Sequence, residues 1–153
     1  MNIAIVGATG NVGRKMLEVL EQKKLPIDEL YLVASSRSSG QKISFKGKQH
    51  VIHNLESYDF SKAEITFFAA GGKISEQYAK KASKNTIIID NSSFFRMDPD
   101  VPLIVPQVNP EAIKDMRKNI IANPNCSTAQ LVIALKPLHD LFKIERVIVY
   151  TYQ

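Results

Sequence analysis

The sequence lacks the features that stabilise small secreted proteins or hold proteins in membranes. It has one cysteine and no tryptophan in 153 residues, so no disulfide can form within the chain. Its apolar runs, such as 131–135 and 147–150, are far shorter than the roughly 20 residues of a membrane-spanning helix. The start of the sequence has neither a basic region nor a small-residue cleavage site, so no secretory signal is indicated. These absences predict a cytoplasmic protein that does not span a membrane.

Positive charge exceeds negative charge, with a formal net charge of +5. The basic residues are scattered and lack the clusters or interleaved aromatic residues typical of single-stranded nucleic-acid binders. The net charge is the only feature that favours a nucleic-acid-binding domain. A lysine-rich surface explains this charge, so no nucleic-acid partner is expected. Asp98 and Asp100 flank Pro99 and are interpreted as turn-forming residues, so no metal site is predicted.

Short β-rich segments alternate with amphipathic segments, a pattern typical of βαβ units around a mostly parallel sheet. The predicted strands are 2–6, 30–34, 65–69, 86–89, 103–105, 119–122 and 146–152. The predicted helices are 11–23, 74–84, 110–117 and 127–140. In the first helix, the spacing of Val12, Met16, Val19 and Leu20 predicts the face that packs on the sheet. Lys46-Gly47 predicts a hairpin at the sheet edge, and the expected fold class is α/β.

A glycine-rich turn, GATGNVG at 7–13, connects the first predicted strand to the first predicted helix. Gly7 permits a tight turn, Gly10 lets backbone N–H groups approach a pyrophosphate, and Gly13 allows the helix to pack closely on the strand. The amino end of the helix adds unpaired N–H groups and a positive dipole end. This position in the chain predicts a dinucleotide site; the alternative is a glycine turn without a ligand.

The end of the second predicted strand indicates which dinucleotide binds. An NAD site usually has an acidic residue there, which binds the ribose 2′-hydroxyl. Here the strand is followed by Ser36, Arg37, Ser38 and Ser39, without a carboxylate. Because arginine binds phosphate oxygens bidentately, this segment predicts NADP rather than NAD. The alternative is a polar surface loop.

Cys126 lies in ANPNCSTAQ, immediately before an apolar-periodic helix. A lone cysteine is commonly a small buried hydrophobe, and that alternative applies here. However, Asn125 and Ser127 flank it, and the preceding NPN turn should present it at a helix start. The amino end of a helix stabilises a thiolate and an oxyanion at an attacked carbonyl. We therefore predict that Cys126 is a nucleophile that attacks an aldehyde beside the dinucleotide.

Several motifs occur in the order found in one enzyme family: GATGNVG, ASSRSSG, FFAAGG, IDNSSFFRMDPDVPLIVPQVNP, NPNCSTAQL and TYQ. With these motifs the chain resembles the aspartate-semialdehyde dehydrogenases over essentially its whole length. The resemblance implies a Rossmann-like fold and NADP-dependent reductive dephosphorylation of aspartyl phosphate to aspartate semialdehyde through a cysteine thioester. This step belongs to lysine, threonine, methionine and diaminopimelate biosynthesis. A relative of the N-acetyl-glutamyl-phosphate reductases is the alternative, although those enzymes typically have tyrosine where Ser127 stands.

The resemblance also implies individual roles. The residues implied to hold the cofactor are Thr9, Gly10, Asn11 and Val12 at the pyrophosphate, Arg37 and Ser38 at the 2′-phosphate, and Ala70, Gly71 and Gly72 on the nicotinamide side. Those implied to act on the substrate are Arg96, which would bind phosphate, Asn125, which would position Cys126, and Gln153, which would orient the substrate. Two positions, Gln107 and Tyr150, depart from the family pattern and have no assigned chemistry.

Members of this family are about twice as long, and their catalytic base and substrate carboxylate clamp lie in the second half. In this chain His139 follows Cys126 by 13 residues on one predicted helix, about 20 Å away, which is too far for proton transfer. We therefore expect an NADP-binding domain at 1–140 and, at 141–153, the first strand of a missing catalytic and dimerisation domain. The full-length family is homo-oligomeric, and we expect a truncated chain to be inactive or weakly active and to self-associate through its exposed last strand. The alternative is a stand-alone NADP-binding module without catalysis.

Overall fold

A seven-stranded sheet forms the centre of the computed structural model, which describes residues 1–152. Its strands are β1 (Ile3–Val6), β2 (Leu30–Ala34), β3 (Lys42–Phe45), β4 (Lys48–Asn54), β5 (Ile65–Phe68), β6 (Ile87–Asp90) and β7 (Ile120–Ala122). They are arranged in the order β3-β4-β2-β1-β5-β6-β7. All neighbouring pairs are parallel except β3 and β4, which form the predicted hairpin at one edge. The α/β class is confirmed.

The centre of the sheet is apolar on both faces, as expected for parallel strands covered by helices. Every residue of β1 is buried. One hydrophobic cluster includes Val6, Phe68 and Ile88, and a second cluster includes Ile5 and Leu32. Because alternate residues of a strand point to opposite faces, the continuous IAIV of β1 supplies both clusters.

The helices before β7 connect parallel strands in crossover fashion, and the last helix follows β7. They are α1 (Asn11–Gln22), α2 (Gly72–Ile74), which continues through a π-helical segment (Ser75–Ala79) into α3 (Lys80–Ala82), and α4 (Cys126–Phe142). Short 3-10 helices lie at Ser36–Ser38, Leu55–Ser57, Phe60–Lys62 and Pro110–Asp115. The predicted helix 110–117 is therefore a 3-10 helix, and the predicted helix 74–84 contains a π-helical turn. Such turns are rare and are frequent at functional sites.

The face of α1 that packs on the sheet differs from the predicted one. The buried residues are Gly13, Leu17 and Leu20, whereas Val12 and Val19 are exposed. The helix is rotated because Gly13 approaches the backbone of Gly7, where a Cβ would lie only 2.3 Å from the Gly7 carbonyl oxygen. Of the predicted face, Leu20 is buried and Met16 is partly buried against the second cluster.

The same face of the sheet is open beside α1. Along β5, β6 and β7, one residue in two is fully buried, and the alternate residues are half-buried or exposed. The alternate residues are Ile65, Phe67, Ile87, Ile89 and Ile121. This open sheet face is apolar, although helices usually cover both faces of a parallel sheet.

Two predicted strands do not form. Of 103–105, only Leu103 makes an isolated parallel bridge, to Ala122. Residues 143–152 have no regular secondary structure, so the strand predicted at 146–152 is wrong for the residues described. A strand needs a neighbouring strand for its hydrogen bonds. This segment instead runs back along α4, since Val147 lines a cleft with His139 and Thr151 lines a cleft with Asn125. Gln153 lies outside the described residues. Within 1–152, no helix is long and apolar enough to span a bilayer.

Candidate active site

The predicted site residues come together at the carboxyl edge of the sheet. Four strands, β1, β5, β6 and β7, are followed respectively by Gly7, Ala69, Asn91 and Asn123. β1 lies between β2 and β5, so the chain order reverses beside it. Ligands of doubly wound sheets bind in the crevice outside such a reversal. The chain topology therefore brings together motifs that are more than a hundred residues apart in sequence.

A cleft of about 400 Å³, here called the glycine cleft, lies at this reversal. It is lined by Val6, Gly7, Thr9, Gly10, Ala34, Ser35, Leu55, Ala69, Ala70 and Ile74. A side chain at Gly7, which has φ +87°, would place its Cβ 2.7 Å from the Ala69 carbonyl oxygen. The turn therefore has space for backbone alone, and the amino end of α1 follows it, as a dinucleotide pyrophosphate requires. The residues present fit the expected cofactor.

The predicted cofactor residues divide among several places. Gly7, Thr9, Gly10 and Ala70 line the glycine cleft, and Gly13 is buried in the first turn of α1. Asn11 and Val12 face a neighbouring cleft instead. Gly71 has φ +87° and precedes α2, while a Cβ on Gly72 would lie 3.9 Å from Phe94 Cβ. Thus the turn on the predicted nicotinamide side lies beside the loop that carries Arg96.

Arg37 and Ser38 lie in the 3-10 turn that follows β2. Arg37 is exposed, and the preceding Ser35 lines the glycine cleft. No carboxylate occurs between Ser35 and Gly40. The side chains of Leu55 and Ile74 line the same cleft but were not predicted to do so, because single apolar residues after a strand carry no signal of a site.

Cys126 is exposed and is the first residue of α4. It lines a second cleft of about 530 Å³, here called the thiol cleft. The other lining residues are Asn11, Val12, Lys15, Met16, Val19, Leu20, Phe67 and Asn91. The thiol therefore shares a cleft with Asn11 and Val12, which end the glycine turn. The buried-cysteine alternative is excluded.

Asn125 caps the helix that begins at Cys126. Its side-chain oxygen accepts a hydrogen bond from the Ser127 N–H at 2.9 Å. An N-cap of this type fixes the first turn of a helix, so Asn125 fixes the backbone on which the thiol is carried. The cleft of Asn125 and Ser127 also includes Val149 and Thr151, so the last described residues approach the start of α4.

Arg96 is held in place rather than extended into solvent. Its Nε donates to the Asn123 carbonyl oxygen at 2.9 Å, and its Nη2 donates to the Asn91 carbonyl oxygen at 3.3 Å. The Asn123 amide in turn donates to the Asn91 side-chain oxygen at 2.6 Å. These bonds fix a guanidinium across the ends of β6 and β7, near Asn91, which lines the thiol cleft.

An ion cluster secures the loop beyond Arg96. Lys118 Nζ donates to both carboxylate oxygens of Asp98, at 3.0 and 3.1 Å, and lies 3.0 Å from Asp100. The hydrogen bond from Lys118 lowers the pKa of Asp98, and the hydrogen bond to Asp98 raises the pKa of Lys118. Asp98 and Asp100 thus form turns and ion pairs. No group of three or more metal-ligating side chains occurs among residues 1–152.

The three histidines lie elsewhere. His139 is in the last turn of α4, His50 Nδ1 contacts the Leu30 carbonyl oxygen at 3.2 Å, and the His53 ring packs near Tyr31. Within the described chain, no histidine lines the thiol cleft.

A protein-family model described as "Semialdehyde dehydrogenase, NAD binding domain" matches residues 2–116. The chain belongs to the semialdehyde dehydrogenase family. An aspartate-semialdehyde dehydrogenase of Shewanella violacea is 53% identical over 99% of this chain and 46% of the relative. The resemblance drawn from the motifs is confirmed.

Two solved structures of the family have the same fold. Aspartate semialdehyde dehydrogenase II of Vibrio cholerae, complexed with ASA, matches with a TM-score of 0.92 and 52% identity, over 94% of this chain and 48% of that one. The Candida albicans enzyme, solved with NADP, matches with a TM-score of 0.73 and 31% identity, over 94% and 48%. The chain spans about half the length of the relatives it matches.

Proposed function

We propose that this chain is the NADP-binding, nucleophile-bearing part of an aspartate-semialdehyde dehydrogenase, which reductively dephosphorylates aspartyl phosphate to aspartate semialdehyde. The observation that carries the proposal is the position of Cys126, exposed at the start of α4 and in one cleft with Asn11 and Val12 of the glycine turn. A nucleophile and a dinucleotide site must converge for hydride transfer to an acyl carbon. The named relatives support this substrate and reaction.

In the proposed reaction, the Cys126 thiolate attacks the acyl carbon of aspartyl phosphate, a C–S bond forms, and phosphate leaves. Arg96 binds the departing phosphate, because its guanidinium is already fixed across the ends of β6 and β7. Backbone N–H groups at the start of α4 stabilise the oxyanion at the attacked carbon. When bound, the reduced dinucleotide would supply the hydride that brings the acyl carbon to the aldehyde level. The C–S bond to Cys126 then breaks, which releases the aldehyde and restores the thiolate.

We propose NADP as the preferred cofactor. Arg37 and Ser38 follow the strand end where an NAD site would carry an acidic residue, and Arg37 is exposed beside the glycine cleft. The NADP in the Candida albicans structure is consistent with this preference.

These 153 residues alone should have little dehydrogenase activity, since no histidine of the described chain lines the thiol cleft. Residues 1–140 would form the NADP-binding domain, and 141–153 would begin a catalytic and dimerisation domain that supplies the base. The second candidate is an NADP-binding module without catalysis. It is favoured by the same observation, that no histidine of the described chain lines the thiol cleft. Gln153 would orient the substrate.

The test is calorimetric titration of the purified chain with NADP and NAD, followed by an assay of phosphate-dependent NADP reduction with aspartate semialdehyde. We expect NADP to bind more tightly than NAD and the activity to be very low. If the chain is part of a dehydrogenase, adding the C-terminal half of a relative as a separate chain should restore activity. Failure of that addition, with NADP still bound, would favour the module.

A further inference from the structure

One buried carboxylate, that of Asp90, lies between the turn on the predicted nicotinamide side, the loop of Arg96 and the turn before Cys126. Asp90 is the last residue of β6 and is 0% exposed. Its Oδ1 accepts hydrogen bonds from Ser75 Oγ at 2.7 Å and from the Ser92 N–H at 3.1 Å, and its Oδ2 accepts one from Ser92 Oγ at 2.7 Å. No ion pair includes Asp90 among residues 1–152.

A carboxylate buried without a cation is unfavourable unless hydrogen bonds compensate for its lost hydration. Here two serine hydroxyls and one backbone N–H do so, and both serines are buried. An apolar residue at the end of β6 would fill this space without such a requirement. The polar cluster of Asp90, Ser75 and Ser92 therefore calls for an explanation beyond stability.

Each partner of Asp90 lies in a different functional segment. Ser75 opens the π-helical turn, three residues after Gly72 on the predicted nicotinamide side. Ser92 begins the loop of Arg96, and its Oγ also accepts from the Phe94 N–H at 3.2 Å. The backbone carbonyl of Asp90 accepts from the Asn123 N–H at 2.8 Å, three residues before Cys126.

We infer that Asp90 is a positioning residue that fixes the cofactor turn, the anion-binding arginine and the nucleophile turn relative to one another. The inference rests on the proposed function and extends it to residues that touch neither substrate nor cofactor. Ser75 and Ser92 constrain Asp90 through its carboxylate, and Asp90 holds the nucleophile turn through its main-chain carbonyl. Loss of either hydroxyl therefore loosens Asp90 and, through it, a segment that the substitution itself does not touch.

Ser75→Ala and Ser92→Ala test the inference, with Thr66→Val as the matched control. Thr66 and Thr86 form a buried hydroxyl pair at 3.0 Å near the other end of β5 and β6. Ser75→Ala and Thr66→Val each remove one side-chain hydrogen bond, whereas Ser92→Ala removes two, the one to Asp90 and the one from the Phe94 N–H. All three substitutions should lower the melting temperature. Amide hydrogen exchange is then followed in segments 71–75, 92–96 and 123–127.

We expect Ser75→Ala to speed exchange in 92–96 and 123–127, and Ser92→Ala to speed it in 71–75, whereas Thr66→Val leaves all three unchanged. In calorimetric titration, the two serine variants should weaken NADP binding about tenfold, and the control should stay within about twofold. The inference is overturned if hydrogen exchange or NADP binding in the serine variants is the same as in the control. If the unsubstituted chain does not bind NADP, the proposed function fails, and hydrogen exchange still decides the role of Asp90.

Discussion

Gly13 of α1 lies directly against Gly7 of the preceding turn: a Cβ added to Gly13 would come 2.3 Å from the Gly7 carbonyl oxygen. That approach sets the rotation of α1, and it brings the amino end of the helix to the glycine cleft. The contact is with backbone, which cannot move aside as a flexible side chain would. The close approach therefore explains a glycine where the helix itself would prefer alanine.

Gly13→Ala should accordingly destabilise the protein by about 3 kcal/mol, the upper range for an overpacked site. Gly10→Ala is the control, because its Cβ would meet only the Gly7 oxygen at 3.4 Å. At φ −75° the control should change stability by less than about 1 kcal/mol. Urea unfolding measures both, and equal losses would contradict the backbone contact.

Arg37→Ala should weaken NADP binding about tenfold or more while leaving NAD binding nearly unchanged, because only NADP offers a 2′-phosphate to the guanidinium. Arg117→Ala is the control: this arginine is exposed and is paired with Asp100 at 3.7 Å. Calorimetric titration with each dinucleotide gives the result, and equal losses for NADP and NAD would remove the assignment of Arg37.

Cys126 should be alkylated by iodoacetamide in the folded chain, since the thiol is exposed in its cleft. Saturating NADP should slow the reaction if the nicotinamide lies beside the thiol. As the sequence contains one cysteine, the mass of the product reports this site alone. NADP that binds by calorimetry but leaves the alkylation rate unchanged would argue against a shared site.

The pair of Asp98 and Lys118 should make stability depend on pH. Because Lys118 lowers the pKa of Asp98 below its ordinary 3.8, the pair stabilises the fold above that value, and the effect is lost as pH falls through the lowered pKa. Lys118→Met should therefore lower the melting temperature near neutral pH, and the difference from the original protein should shrink in acid. Lys114→Met, a change at an exposed lysine, is the control. A difference independent of pH would indicate lost packing instead.

The chain should self-associate at micromolar concentration through its last residues, where Ile148 is 72% and Tyr150 is 90% exposed. Ile148→Lys should raise the concentration at which dimers appear in sedimentation velocity. Ile87→Lys tests the open sheet face, whose Ile87 is 38% exposed. If only the second substitution reduces association, the contact is made by the sheet face and not by the last residues.

The sequence predicted the local backbone around the candidate site where a motif determines that geometry. The glycine turn, the arginine after β2 and the cysteine at the start of α4 all depend on the order strand, turn, helix, which periodicity reveals. Leu55 and Ile74 were missed because they reach the glycine cleft from other strand ends. Asp90 was missed because its partners are Ser92, two residues away, and Ser75, fifteen residues away.

By itself, the sequence determined the α/β class, the glycine turn and the position of the one cysteine at a helix start, since local periodicity and residue type suffice for these. Only the tertiary structure decided which face of α1 is buried, because the close approach of Gly13 to Gly7 leaves Val12 and Val19 exposed. It also decided that 146–152 lies along α4 without forming a strand, because a strand exists only where another strand offers hydrogen-bonding partners.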